Sequence, residues 1–237
     1  MNVEQIMSLG PELADYLDEF VDCFGRSEPR GHLANYVRGQ LLDLERKSVE
    51  PIALAAGVRP RTLQEFLGTD VWDEEQMRDR LQERIAQDHL QADSIGILDD
   101  SGHVKCGRHT ACVSRQYCGR SGKIDNCVVT VNLSLASFDT RFRVMLDSVP
   151  YLPEGWDQDE ARRRQTRIPD DVRYRAKYDI GLEELDRAAA NGVVLSWLTA
   201  DGWYGQKPKF LRGLQQRGQR FVVEIPCNFR CRSYDPR

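Results

Sequence analysis

The chain has 237 residues, 41% of them hydrophobic, and a formal net charge of -4 at pH 7. This length and composition are typical of a packed protein with one large or two modest domains, and they exclude a disordered chain. The sequence shows no apolar run long enough for a transmembrane helix and no N-terminal signal peptide, which predicts a cytoplasmic protein that does not bind membranes.

The charge is unevenly distributed along the chain. Residues 1–92 hold 18 acidic and 10 basic side chains, whereas residues 202–237 hold two acidic and eight basic ones. Basic side chains neutralise a phosphodiester backbone, so a basic segment beside a group of acids suits a metal-dependent enzyme that acts on nucleic acid. An ordinary solvated surface explains the same charges equally well.

Hydrophobic side chains recur at helical spacing through the first ninety residues, which predicts an all-helical N-terminal domain over residues 1–92. The segment Ser27, Glu28 and Pro29 is interpreted as a break between the first two helices. Asp73 is expected to cap a further helix that ends near Leu90.

Residues 50–67 have the spacing of a helix-turn-helix, with the small residue Ala53 four positions before Gly57. A large side chain at Ala53 or a β-carbon at Gly57 is expected to obstruct close contact between the two helices. Simple helix packing accounts for the same pattern. If the segment reads DNA, the outward-facing candidates for contacts to phosphates or bases are Arg59, Arg61, Thr62 and Gln64.

After Asp93 the pattern changes to an α/β order, which predicts a second domain over residues 93–237. Strands are predicted at 94–98, 126–135 and 141–151, followed by a surface excursion over 152–177 with a short helix at 159–166. A helix at 179–191, a strand at 193–200, a helix at 206–217 and a strand at 220–226 complete the order.

Two acids, Asp99 and Asp201, each directly follow a predicted strand. A carboxylate at a strand end is held at the rim of a sheet, where ligand sites lie, although a turn former or a helix cap gives the same pattern. RNase H-like nucleases and transposases share this order of elements: three strands with an acid after the first, then a helix, then a strand that is followed by a second acid. Such carboxylates bind hard divalent ions, normally Mg²⁺, which assist attack on a phosphodiester.

The seven cysteines include no CxxC pair. Reduced, mostly buried thiols are therefore the simpler interpretation, because structural zinc sites usually show closer ligand pairs. Zinc ligation by some of Cys106, Cys112, Cys118 and Cys127 is the alternative.

Several motifs resemble, in the same order, segments of bacterial insertion-sequence transposases of the DDE superfamily. Residues 98–107 are similar to the family's Asp-Asp/Glu-Thr-Gly-Phe-x-Lys-x-Gly segment, with Ser101 and His103 in place of Thr and Phe. Residues 115–119 and 122–127 are similar to Gln-Tyr-x-Gly and Gly-Lys-x-x-Asn-Cys, residues 151–156 to Tyr-Leu-Pro-x-x-Trp, and residues 199–205 to Ala-Asp-x-x-Tyr-Gly. Residues 23–30 and 44–50 look like the family's N-terminal helical segment.

The resemblance implies an α/β fold class, with an N-terminal all-helical domain followed by an incomplete RNase H-like mixed sheet with flanking helices. It makes Asp99 the first catalytic and metal-binding acid, since the position of Asp100 varies between Asp and Glu in the pattern, and it makes Asp201 the second. It implies Mg²⁺ as the cofactor, with Mn²⁺ as an alternative. The implied partner is DNA at transposon ends, and Lys105, Arg115 and Lys123 would lie near the strand unless they are simply exposed hairpin charges.

The same family places its third acid, a Glu, on a later helix within a Tyr-x2-Arg-x3-Glu-x6-Lys signature. Only 36 residues follow Asp201, and they lack this signature. We therefore expect a truncated transposase-type endonuclease and strand transferase that is weak or inactive alone. The alternatives are a non-catalytic DNA-binding remnant, a regulator that partners a second copy or a full-length transposase, and an unrelated RNase H-like nuclease that works with two acids.

Overall fold

The computed structural model describes residues 3–137 and 141–230, which fall into two compact units divided between Arg80 and Leu81. One long helix, Glu74–Asp88, contributes residues to both units. The boundary placed after residue 92 from the sequence therefore stays a prediction.

The first unit is helical, as its hydrophobic spacing indicates. Its α2 begins at Ser27, so the expected break at Ser27, Glu28 and Pro29 is wrong. Pro29 lies in the first helical turn, where a missing backbone N–H costs no hydrogen bond. The helices are α1 (Val3–Asp18), α2 (Ser27–Leu41), α3 (Val49–Ala55), α4 (Pro60–Gly68) and α5 (Glu74–Asp88), with a 3-10 turn at Val21–Cys23.

The helices α3 and α4 pack through Ile52, Ala53 and Leu63, all fully buried. Gly57 connects them with a φ of 68°, and a β-carbon there would meet nothing within 4 Å. The sequence-based reason for this glycine is therefore wrong, because its left-handed backbone requires it and helix contact does not. The close approach occurs at Gly39 of α2, where a β-carbon would lie 2.3 Å from Ile52 Cγ2.

The second unit contains a six-stranded mixed sheet in the order β2-β3-β1-β5-β6, with β4 also paired to β3. The strand β1 is antiparallel to β3 and parallel to β5, and β5 is parallel to β6. The strands are β1 (Ile95–Val104), β2 (Ser114–Cys118), β3 (Lys123–Ala136), β4 (Arg143–Pro150), β5 (Trp197–Ala200) and β6 (Phe221–Val223). The helices are α6 (Glu154–Asp157), α7 (Glu160–Thr166), α8 (Lys177–Ala190), α9 (Gly202–Gly205) and α10 (Pro208–Gln216). This arrangement confirms the predicted α/β class with a mixed sheet and flanking helices, consistent with an RNase H-like core.

The strand β1 does not end before Asp99, as the sequence suggested. Its parallel pairing with β5 stops at Leu98, opposite Ala200, but its antiparallel pairing with β3 continues to Val104. Asp99 therefore lies within β1, opposite Asn132, and only on the β5 side does it stand at a strand end. Strand β2 was not predicted from the sequence, and β5 is four residues shorter than the strand predicted at 193–200.

Side chains of β1 alternate between two faces, as in any strand. The buried residues of the inner face include Leu98, Val131, Leu133 and Leu198, and they pack with α8 and with Phe210 of α10 in one core. Contact is closest at Gly181 of α8, where a β-carbon would lie 2.5 Å from Leu98 Cδ2. This tight packing fixes β1 against α8 directly beside Asp99.

The opposite face of the sheet, called here the outer face, is open among the residues that the structure describes. It presents four large apolar side chains with exposed fractions of 38% to 65%: Ile97, Met145, Trp197 and Val222. In the strand registers Ile97 pairs with Thr199, and Thr199 pairs with Val222, so these side chains share one side. Asp99 and Asp201 fall on the outer face by the same alternation.

The segment between β4 and α8 lies mostly at the surface and contains the predicted short helix as α7, but a few of its large side chains are buried. Trp156 and Arg163 are 1% and 4% exposed. The Trp156 indole donates to the Val113 carbonyl at 2.8 Å, and the Arg163 guanidinium donates to the carbonyls of Pro169 and Val172. Trp156 thus joins this segment to the residue before β2, whereas Arg163 bonds the segment to itself, and most of the rest of the predicted surface excursion is exposed or half-buried.

Candidate active site

The two acids singled out from the sequence are brought together by the β1–β5 pairing. Leu98 lies opposite Ala200 in the parallel register, so the next residue on each strand, Asp99 and Asp201, projects from the same edge and toward the outer face. The acids are 102 positions apart in the chain. Only the sheet makes them neighbours.

Each carboxylate uses one oxygen to fix its own position. Asp99 Oδ1 accepts a 2.7 Å hydrogen bond from the Asp100 backbone N–H. Asp201 Oδ1 accepts from the backbone N–H groups of Trp203 and Tyr204 at 3.0 and 3.2 Å, which makes Asp201 the cap of α9. Among the described residues no donor contacts Oδ2 of either acid, so one oxygen of each is available for a ligand.

The electrostatics of the pair favour a cation. Partial burial raises the pKa of Asp99 above its usual value, and the nearby carboxylates of Asp201 and Asp100 raise it further, against the opposing effect of the Asp100 N–H hydrogen bond. Like charges held close together repel each other, and a bound positive charge relieves this repulsion.

Asp100 points to the inner face and makes different contacts. Its Oδ1 accepts a 2.6 Å hydrogen bond from the Tyr204 hydroxyl, and its Oδ2 lies 2.6 Å from Lys177 Nζ. The pKa of the Tyr204 phenol is raised by burial and by the Asp100 carboxylate, so the hydroxyl stays a donor. Asp100 is therefore occupied by protein partners, whereas Asp99 has an oxygen to spare.

Two carboxylates with free oxygens fit a hard divalent cation. Mg²⁺ usually keeps several waters and binds proteins through one or two carboxylates together with substrate phosphates. Within the described residues 3–137 and 141–230, no group of three or more His, Cys, Asp or Glu side chains could hold a metal ion. This also removes the alternative of a three-cysteine zinc site among the described residues, where Cys112, Cys118 and Cys127 are buried free thiols.

Comparison with known proteins identifies the family. The profile of a family described as DDE superfamily endonuclease matches residues 19–237. The chain belongs to this family. The match confirms the DDE superfamily resemblance drawn from the sequence motifs, and endonucleases of the DDE superfamily generally use divalent metal ions.

The chain is also similar to the probable transposase for insertion sequence element IS701 of Microchaete diplosiphon. The two are 29% identical over 192 residues, which cover 80% of this chain and 47% of that protein. The chain thus spans about half the length of the curated relative it matches. Across the described residues, none of its helices combines the length and apolar character needed to span a membrane.

Three of the DNA contacts predicted from the sequence lie around the β2–β3 hairpin. Arg115 pairs with Asn126 and Lys123 with Cys118 across the hairpin, and the Lys105 backbone N–H donates to the Asn126 carbonyl. All three basic side chains are exposed. Their role in DNA binding stays a prediction.

The other three predicted DNA contacts lie on the helix-turn-helix segment of the first unit. Arg59, Arg61 and Gln64 are exposed, while Thr62 is half-buried. Arg61 forms a 2.6 Å ion pair with Glu65 one helical turn later. An exposed pair of this kind contributes little stability and is easily exchanged for a phosphate. DNA reading by this segment also stays a prediction.

Three residues beside the acids were not predicted from the sequence: Lys177, Trp203, and Tyr204 as the partner of Asp100. Trp203 is 37% exposed, and the Nζ atoms of Lys177 and Lys207 lie 5.4 and 4.7 Å from its ring centroid. A signal was present for Tyr204, since the resemblance includes this tyrosine. Nothing local in the sequence pointed to Lys177.

Proposed function

We propose that this chain carries out metal-dependent cleavage and strand transfer of insertion-sequence-end DNA, as part of a transposase-type endonuclease. The observation that carries the proposal is the pairing of Asp99 and Asp201 on one edge of the sheet, each with an oxygen free for a cation. Family membership and the similarity to a probable insertion-sequence transposase support this chemistry over other uses of a carboxylate pair.

Asp99 and Asp201 would hold Mg²⁺ or Mn²⁺. When bound, such an ion polarises the scissile phosphate and favours deprotonation of the attacking hydroxyl. In cleavage, a water oxygen bonds to phosphorus while the bond to the 3′ oxygen breaks. The water loses a proton to solvent, and the leaving oxygen gains one to become a 3′-hydroxyl. In strand transfer, a 3′-hydroxyl takes the place of water.

The protein residues would prepare this reaction in two ways. The sheet holds both carboxylates rigidly, which reduces the reorganisation needed when charge develops at the phosphate. The alternation of side chains along β1 directs Asp100 to Lys177 and Tyr204 on the inner face and leaves the Asp99 carboxylate on the outer face. A third acid from outside the described residues would complete the set that the resemblance implies.

The test is nicking of supercoiled plasmid with Mg²⁺ or Mn²⁺. We expect Asp99→Asn and Asp201→Asn to abolish nicking, whereas Asp171→Asn, a matched change at an exposed acid, leaves it intact. Binding of Mn²⁺, followed by its electron paramagnetic resonance signal, should weaken at least tenfold in the first two variants only. Nicking that survives Asp99→Asn would refute the proposal.

The same experiment decides the non-catalytic alternative. A protein that retains plasmid DNA on a filter but produces no nicked circles with either metal would be a DNA-binding or regulatory fragment. Addition of a helical peptide bearing the family's Tyr-x2-Arg-x3-Glu signature then provides a second arm. Restored nicking that still depends on Asp99 would support an enzyme that lacks only the third acid.

A further inference from the structure

Beside the acid pair lies an exposed aromatic ring flanked by positive charge. Trp203 follows Asp201 by two residues, and its backbone N–H donates to Asp201 Oδ1 at 3.0 Å. The Nζ atoms of Lys207 and Lys177 lie 4.7 and 5.4 Å from the indole centroid. The backbone of Trp203 is therefore bonded directly to a candidate metal ligand, and two ammonium groups lie over its ring.

The ring is supported from below. Its edge-to-face contact with Tyr204 has a centroid separation of 5.0 Å and an interplanar angle of 81°. Tyr204 is buried, is bonded through its hydroxyl to Asp100, and packs on Phe210 at 5.3 Å. A half-exposed indole on a buried base loses little freedom when a flat ligand stacks on it.

The two lysines differ in their attachments. Lys177 is held by the Asp100 carboxylate and also approaches the Tyr151 ring at 5.3 Å. Lys207 has no carboxylate partner in the part of the chain that the structure describes, and its ammonium group lies over the Trp203 ring. Lys207 is thus a cation whose charge is not already neutralised.

We propose that Trp203 and Lys207 form a binding site for an unpaired nucleotide, in which the base stacks on the indole and its phosphate contacts Lys207. Stacking on an aromatic side chain beside a basic group is how proteins hold single-stranded nucleic acid. A base within a duplex is already stacked on both sides, so the indole selects a nucleotide that has left the helix. The site would hold the displaced or terminal nucleotide next to the phosphate at Asp99 and Asp201, and in this respect it rests on the proposed function.

A double-mutant cycle tests the contact without catalysis. Binding in EDTA is measured by fluorescence anisotropy for a blunt duplex, the same duplex with a three-nucleotide tail, and the same tail with abasic sites. We expect wild-type protein to bind the tailed duplex more tightly than the abasic one by about fivefold to a hundredfold, the range of a base–aromatic stack. The Trp203→Ala variant should lose this difference, and Trp203→Phe should keep most of it.

The matched control is Trp197→Ala. Trp197 is 41% exposed and has the Arg220 guanidinium 5.1 Å from its ring, but it begins β5 whereas Trp203 follows its end. This variant should preserve the preference for the base. The Lys207→Ala variant should weaken binding of both tails equally and reduce the salt dependence.

The outcomes separate this proposal from the proposed function. If Trp203→Ala binds all three DNAs as wild-type does, or loses affinity equally for tailed and abasic DNA, there is no stacking site. Far-ultraviolet circular dichroism and the Trp203→Phe variant show whether a loss reflects misfolding. A base preference that depends on Trp203 in a protein that never nicks DNA would uphold this site and reject the endonuclease function.

Discussion

The hydroxyl of Tyr204 donates a 2.6 Å hydrogen bond to Asp100, which lies 104 residues earlier in the chain. Tyr204 is 1% exposed, so its hydroxyl has no access to bulk water as a substitute. The bond ties α9, directly after Asp201, to the strand that carries Asp99. Asp100 thus stabilises the fold, whereas its neighbour Asp99 is the candidate metal ligand.

Replacing Asp100 should therefore damage stability more than replacing Asp99. We expect Asp100→Ala to lower the free energy of unfolding by about 1–3 kcal/mol, the cost of an unsatisfied buried hydroxyl. The Asp99→Ala variant should leave it unchanged or raise it, because the change removes repulsion from Asp201. Urea denaturation without divalent metal measures both, and equal losses would contradict the division of roles.

The raised pKa of Asp99 predicts a pH dependence with a defined sign. Because the unfolded chain releases this proton near the ordinary value of about 3.9, the native state binds more protons above that pH. The contribution of Asp99 to stability therefore falls as the pH rises from this value to the raised pKa, and is constant above it.

The Asp99→Asn variant removes this titration. Its free energy of unfolding relative to wild type should rise with pH through the same window and then level off. Denaturant titrations of wild type and variant in metal-free buffer at several pH values measure the difference. A relative gain by the wild type as the pH rises would show that Asp99 is stabilised in its charged form.

Two glycines of α9 should respond oppositely to alanine. A β-carbon at Gly205 would lie 1.8 Å from the Glu224 carbonyl oxygen, whereas at Gly202 the nearest atoms are 3.9 Å away. We expect Gly205→Ala to cost about 1–3 kcal/mol or more, because backbone must move, and Gly202→Ala to be neutral or slightly stabilising. Thermal unfolding compares them. Similar melting temperatures for both variants would show that the chain after β6 adjusts freely.

The helix-turn-helix segment offers a test of backbone strain. Gly57 has a φ of 68° with open space around it, so Gly57→Ala should cost about 1–2 kcal/mol from conformation alone. Asn tolerates this region better, and Gly57→Asn should retain most of the stability. Hydrogen exchange of peptides covering residues 49–68 reports the change. The control is Gly68→Ala, at an open position without positive φ; a packing effect would instead make Asn worse than Ala.

The sequence was informative where hydrophobic runs define elements. The apolar run before Asp99, the helix that becomes α8 and the apolar run before Asp201 sufficed to predict the order of these elements along the chain and to single out the two acids. The polar half of β1 was not predictable, because Ser101, Gly102 and His103 form a strand only by pairing with β3. Strand β2 was missed for the same reason.

The surroundings of the acids could not be read from local patterns. Lys177 and Tyr204 reach Asp100 across 77 and 104 residues, and no periodicity in either segment indicates such a contact. No pattern in the sequence distinguishes Trp203, because the two lysines beside its ring are brought there only by the fold. Such contacts between segments far apart in the chain depend on how the whole sheet is paired.

The one-residue alternation of β1 means that two identical neighbours cannot substitute for each other. A deletion of a single residue between Gly96 and Asp99 would turn Asp100 to the outer face and so preserve an acid there, yet it would leave the Tyr204 hydroxyl and the Lys177 ammonium facing another side chain. Such a mutant would keep a carboxylate at the site but lose the contacts that stabilise the fold around it. The doubled aspartate is therefore not a spare copy of a catalytic residue, and each position is open to selection on different grounds.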